Sequence, residues 1–175
     1  MTFNSSSFVL FMLVVLFIRY SAASWTFRKA FLLGMSYLFY AAWNPPFLAL
    51  VLLSTLVDWV CAKRIGATED RSMRRVYLWC SLGFNLGLLA WFKYAGFFAL
   101  STSRLLGVVG VEWQPVLPEV LLPVGISFYT FQTISYTIDV YRKRIAPADS
   151  MLDYALYVTF FPQLVAGPIV RAQHK

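Results

Sequence analysis

Four side chains in the second half of the sequence share a spacing suited to chemistry. Gln132, Ser135, Asp139 and Arg142 are separated by three, four and three residues, which on an α-helix places them on one face, with Tyr136 beside them. An amide, a hydroxyl, a carboxylate and a guanidinium in one line can hydrogen-bond a polar substrate and steer an anion. The run that carries them is otherwise apolar, and polar or ionisable groups are costly in lipid, so the stripe is expected to face other helices or a water-filled passage. The competing reading is an interfacial anchor in which Asp139 pairs with Arg142 or with Lys143, four residues on. Gln132 lies deeper and reaches the interface less easily.

The remaining candidates are weaker. Asp58 lies close to Lys63 and Arg64, which favours a cap or ion-pair role over a site within the membrane. Asn85 falls in the middle of an apolar run, where hydrogen bonding across helices is the default expectation. His174 is the only histidine and stands beyond the last apolar block. It has no visible base-orienting partner, and no Ser-His-Asp or Cys-His set can be assembled around it. No CxxC pair or histidine cluster supplies zinc or haem ligands. Cys61 and Cys80 sit beside a basic tract assigned below to the cytoplasm, where thiols stay reduced, so a structural disulfide is not expected.

The elements that must position these groups are set by hydropathy. Charged residues make up 13% of the chain and hydrophobic ones 59%, against about 25% charged in soluble domains. The apolar residues come in long uncharged blocks, which favours lipid as the solvent. The net charge of +7 is gathered in short tracts between those blocks, where it orients a membrane protein; nucleic-acid binding is not expected.

The first apolar run, 5–23, has its basic residues (Arg19, Arg28, Lys29) after it rather than before it, so it reads as an uncleaved anchor with its N-terminus outside, not as a secretory signal. Residues 30–57 carry no charge, but Asn44-Pro45-Pro46 interrupts them and implies a helical hairpin, either two short spans or a re-entrant loop. Residues 63–75 form the most basic loop, expected in the cytoplasm. A span over 76–92 follows, then an ambiguous stretch to 111 and an outer loop over 112–119. Another span over 121–141 ends in Arg142-Lys143-Arg144. The last block, 152–170, contains Pro162, Gly167 and Pro168 and reads as a broken helix, tolerated at membrane depth only where it is buried in protein or lines a wet cavity. Trp25, Tyr40, Trp43 and Trp113 fall at ends of spans, as an interfacial belt requires. The fold class expected is all-α: a polytopic integral membrane protein, with 1–175 forming a single membrane-embedded region; its place in the bacterial inner membrane is what the resemblance described next implies.

Two stretches carry a resemblance. LLPVGISFYTFQTISYTIDVYR (121–142) and YALYVTFFPQLVAGPIVR (154–171) resemble the signature region of the membrane-bound O-acyltransferase family, in its alginate O-acetyltransferase branch. Ser36-Tyr37-Leu38-Phe39-Tyr40, Ser54-Thr55 with Asp58, and Phe92-Lys93-Tyr94 ahead of Phe97-Phe98 look like the same branch. The resemblance implies the N-terminal part of a helical bundle with short, hairpin and broken helices. It implies transfer of an acetyl group from a cytoplasmic donor such as acetyl-CoA, used as substrate with no bound cofactor, toward an exported cell-surface polysaccharide. A periplasmic partner protein would complete the delivery. Family enzymes rely on a histidine in a membrane tunnel downstream of these motifs, so this chain is expected to lack the catalytic group and to be inactive alone, with no catalytic role for His174. What it supplies on that view is tunnel wall: Gln132, Ser135, Tyr136, Asp139 and Gln163 as polar lining, and Pro123, Gly125, Pro162, Gly167 and Pro168 as structural breaks. Arg142 and Arg171 would attract the donor's phosphates, although Arg171 suits a positive-inside anchor equally. The alternatives are D-alanyl or other acyl transfer to a cell-wall polymer, and a small-solute transporter or channel.

Overall fold

The computed structural model describes residues 6–42, 45–110 and 125–160. Among them the chain forms helices and no strand: α1 (Ser6–Tyr20), α2 (Trp25–Ala41), α3 (Pro45–Ala67), α4 (Arg71–Val108), α5 (Ile126–Tyr141) and α6 (Met151–Thr159). The turn between α1 and α2 closes on serines: Ser21 Oγ donates to the Ile18 carbonyl, and the Ser24 side chain caps α2 by accepting from Phe27 N–H, which satisfies one of the orphan donors of a helix start. Phe11 and Val15 of α1 then pack on Phe39 of α2.

The hairpin expected around Asn44-Pro45-Pro46 is present, with α2 and α3 packed together. Pro45 and Pro46 open α3, the first turn being where proline costs no helical hydrogen bond. This helix is long and apolar enough to cross a bilayer; the apolar run Phe8–Tyr20 of α1 is shorter. Large apolar side chains such as Leu13, Phe17, Trp79, Trp91 and Phe97 are exposed, a surface poorly suited to water.

Two boundaries differ from expectation. The basic loop placed at 63–75 is mostly helix: α3 continues through Lys63 and Arg64, and α4 starts at Arg71 with Asp70 as its cap. Lysine and arginine are good helix formers, so a cluster of charge does not mark where a helix ends. For the same reason Lys93 interrupts nothing. Residues 71–108 form one helix of 38 residues, about 57 Å long at 1.5 Å per residue, which resolves the stretch left ambiguous after the span over 76–92 as a continuation of that helix. Tyr40 is also not interfacial: it is buried in the main core with Val51, Leu89, Tyr129 and Tyr154. Trp25 is exposed beneath Arg19, Arg28 and Lys29, as a belt residue should be, whereas Trp43 and Trp113 lie outside the described residues.

The basic tracts gather at one end of the bundle. Lys29 at the start of α2 pairs with Asp153 at the start of α6, Lys63 near the end of α3 pairs with Asp149, and Lys143 after α5 pairs with Glu69 before α4. Trp59 Nε1 donates to the Ala148 carbonyl across the same end.

Candidate functional site

Three helices each turn an i, i+4 pair of polar side chains inward, a spacing that puts both members on one face: Ser54 and Asp58 on α3, Ser81 and Asn85 on α4, Thr133 and Thr137 on α5. All six are at most 1% exposed. Asn85 is the hub. Its Nδ2 donates to both Asp58 carboxylate oxygens at 2.7 and 2.9 Å, and its Oδ1 accepts from Ser54 Oγ at 2.7 Å and from Thr133 Oγ1 at 3.4 Å. Ser81 Oγ donates to Asp58 and stands 3.3 Å from Thr137 Oγ1. Every polar side chain in this group therefore has a partner, the condition under which a buried polar network rigidifies a core rather than weakening it.

This overturns the reading of Asp58 as a cap or ion-pair residue. Lys63 is taken by Asp149, and no cation pairs with Asp58 among the described residues. The geometry explains why: residues five apart on a helix point about 140° away from each other. Asn85 does bond across helices as expected. Thr133, Thr137, Ser54 and Ser81 were missed as members of a site, and the repeated i, i+4 pairing was the signal that would have found them.

The stripe on α5 faces elsewhere and divides in two. Gln132 is fully buried and its Nε2 donates to the Tyr157 carbonyl of α6 at 2.8 Å, while its Oε1, equally buried, has no partner among the described residues. Ser135 Oγ donates to the Gln132 carbonyl of its own helix. Tyr136 stacks on Tyr154 with ring centroids 4.6 Å apart, and its hydroxyl accepts from Ala148 N–H at 2.8 Å, bracing the segment between α5 and α6. The Tyr154 hydroxyl is a second buried group without a partner among the described residues. An unmet acceptor and an unmet hydroxyl on adjoining helices are what a polar ligand or an ordered water would satisfy.

Beyond Tyr136 the stripe reaches the basic end. Asp139 pairs at 3.5 Å with Arg144 rather than with Arg142 or Lys143. The end of α5 accounts for the change of partner. Lys143 sits in the left-handed region at φ 57°, its N–H bonds the Val140 carbonyl, and Arg144 N–H bonds the Asp139 carbonyl; this is the Schellman closure, which folds Arg144 back over Asp139. Arg142 is exposed and lines an open hollow with Arg71, Arg74 and Lys143.

Of the structural breaks, Gly125 is described: it precedes α5 with φ 79°, a conformation glycine adopts without steric cost. Helix α6 stops at Thr159, just before the segment read as broken. Pro123, Pro162, Gln163, Gly167, Pro168, Arg171 and His174 lie outside the described residues.

Comparison with known proteins gives the wider context. The chain is 40% identical over 174 residues to the probable alginate O-acetylase AlgI of Pseudomonas aeruginosa and 38% identical over 172 residues to that of Pseudomonas putida. It is 34% identical over 197 residues to the peptidoglycan O-acetyltransferase of Helicobacter pylori. These alignments cover 98%, 98% and 96% of this chain, but 33%, 35% and 36% of the respective relatives. The chain thus spans about a third of the length of the curated relatives it matches. No family model and no solved structure matches it.

Proposed function

We propose that this chain belongs, with the alginate O-acetylases it resembles, to the membrane-bound O-acyltransferase family, and that it forms part of a polytopic inner-membrane O-acetyltransferase for an exported polymer. The carrying observation is similarity over nearly the whole chain to proteins named for O-acetyl transfer to two different polymers, alginate and peptidoglycan. The shared chemistry is acetyl transfer, and the acceptor is what differs. Summed over the whole transfer, the partner's step included, the acetyl carbon leaves a thioester sulfur and ends on a sugar hydroxyl oxygen, while the hydroxyl proton passes through a general base and the thiolate leaves as the thiol. None of the relatives named above is named a transporter, so the channel reading has no support from them.

On this reading the donor, acetyl-CoA or a similar thioester, approaches from the cytoplasm. The basic end of the bundle faces that side, and the N-terminus lies in the periplasm. The convergence of three basic tracts on one end supports the orientation, since lysine and arginine are retained on the cytoplasmic side. Gln132, whose side-chain carbonyl oxygen has no partner among the described residues, hydrogen-bonds the polar substrate beside Tyr136, and Arg142 meets donor phosphate. A periplasmic partner carries the acetyl group onward to the polymer.

Two experiments test this. In a strain lacking its own transferase, the complete gene carrying Gln132→Leu should transfer about tenfold less acetate to polymer per enzyme molecule, the equivalent of 1.4 kcal/mol; unchanged transfer removes Gln132 from the site. For orientation, Ser72→Cys in a background lacking Cys61 and Cys80 should resist an impermeant thiol reagent in intact cells and react after permeabilisation. Labelling of intact cells reverses the topology.

A further inference from the structure

We propose that the basic hollow between the start of α4 and the end of α5 is a phosphate-binding site, filled by the phosphate of an anionic lipid headgroup or of a soluble phosphate-bearing molecule. Two open hollows, of about 380 and 350 Å³, meet at Glu69, Arg74 and Lys143. Arg71, Arg142 and Arg144 add their cations to the walls, and Glu69 is the one carboxylate among the lining residues.

Arg74 gives the site its built character. It lines both hollows, is 8% exposed, and is held by an Nη2 bond of 2.6 Å to the Tyr141 carbonyl with its guanidinium 5.5 Å from the Tyr141 ring centre. Its Nε is buried without a partner among the described residues. A buried guanidinium with an unmet donor is costly, and arginine's planar fork is matched to phosphate oxygens.

Lys143 gives an independent observation. It occupies the left-handed position that closes α5, with φ 57°, where glycine is the usual residue because a Cβ is disfavoured there. A lysine kept there places a cation at the mouth of both hollows. Its ion pair with Glu69 does not explain the choice, since the two side chains are 63% and 89% exposed and exposed pairs contribute little. A lysine held in a glycine position beside a buried, underbonded arginine is instead what recognition of a dianion or phosphodiester calls for. Basic pockets between helices at the membrane surface hold anionic headgroups in this way.

The inference depends on the proposed function only for what a soluble phosphate would belong to, and its readout is binding, so the two fail separately. The chain is placed in nanodiscs of phosphatidylcholine alone or with one-third phosphatidylglycerol, and each preparation is titrated with pyrophosphate at constant ionic strength while thermal unfolding is followed. A shift with pyrophosphate assigns a soluble source, a shift with phosphatidylglycerol assigns a headgroup, and either supports the site. Arg142→Gln with Lys143→Gln, both at exposed positions, should weaken the response about tenfold, as expected for loss of charge-assisted contacts. Lys143→Gly should weaken it while leaving the unfolding temperature equal to or above that of the unaltered chain, because glycine relieves the backbone. No shift with either probe, or a double variant that responds like the unaltered chain, overturns the site.

Discussion

Helix α5 carries two polar faces that obey different rules. Thr133 and Thr137 look toward Asp58 and Asn85, where each hydroxyl has a partner; Gln132 and Tyr136 look toward α6, where one amide oxygen and the neighbouring Tyr154 hydroxyl have none among the described residues. Both faces are equally dry, so burial alone does not separate them. Satisfaction does. A closed network holds helices in register, whereas buried groups left unmet are retained at a cost to stability that only a ligand or a neighbouring segment offsets.

The largest effect should come from breaking the closed face at its hub. Asn85→Ala takes both amide bonds from the Asp58 carboxylate, leaves Ser54 without its acceptor there and leaves Thr133 with only the Thr130 carbonyl. It should destabilise the bundle by about 2 kcal/mol, above the roughly 0.6 kcal/mol average of one interhelical bond in a membrane, because the buried Asp58 carboxyl group loses both Asn85 bonds and keeps the Ser81 hydroxyl as a donor. Denaturant titration of the reconstituted chain measures it. A loss no larger than that of a single hydrogen bond would mean that Asp58 finds other donors.

Gln132→Leu tests the other face and should divide its effects: about tenfold less acetyl transfer, with a stability change under about 0.6 kcal/mol, since one bond to the Tyr157 carbonyl is lost while an unmet acceptor is removed. Equal falls in transfer and protein level would make the two faces alike. Thr137→Val should cost about 0.5 kcal/mol and leave transfer unchanged, as befits a peripheral member of the closed network. The smallest response is expected from Ser127→Ala, which lies off both sets of residues and should alter neither transfer nor unfolding by a measurable amount.

The contrast also shows what was legible in the sequence. Helices were readable because long uncharged apolar blocks satisfy their backbone within the segment as helices, and Gln132 stood out because an amide deep in such a block has no route to water. Thr133, Thr137, Ser54 and Ser81 did not stand out. Short hydroxyl side chains can return their hydrogen bond to the preceding turn, as Thr133 also does toward the Thr130 carbonyl, so each taken singly carries no cost that marks it. Asp58 was misassigned by proximity along the chain, where Lys63 is near, instead of around the helix, where Ser81 and Asn85 are nearer. The pairing of Asp139 with Arg144 was hidden for a related reason: it depends on a left-handed residue at Lys143, and nothing in a lysine announces that conformation.

The ion pairs at the basic end carry a consequence for biogenesis. Lys63 and its partner Asp149 are 86 residues apart in the chain, and Lys29 and Asp153 are 124 apart. At a translation rate of about 5–20 residues per second, the acids leave the ribosome roughly 4–17 s and 6–25 s after the lysines. In a chain inserted with the proposed orientation, both lysines would meet the insertion machinery unpaired through that interval, while the first hairpin commits to a side of the bilayer. The aspartates arrive only when the choice has been made. Under the proposed orientation, neutralisation that would blunt the orienting signal is thus postponed by chain order, and the same cations pair with the segment at the start of α6 only after they have oriented the chain.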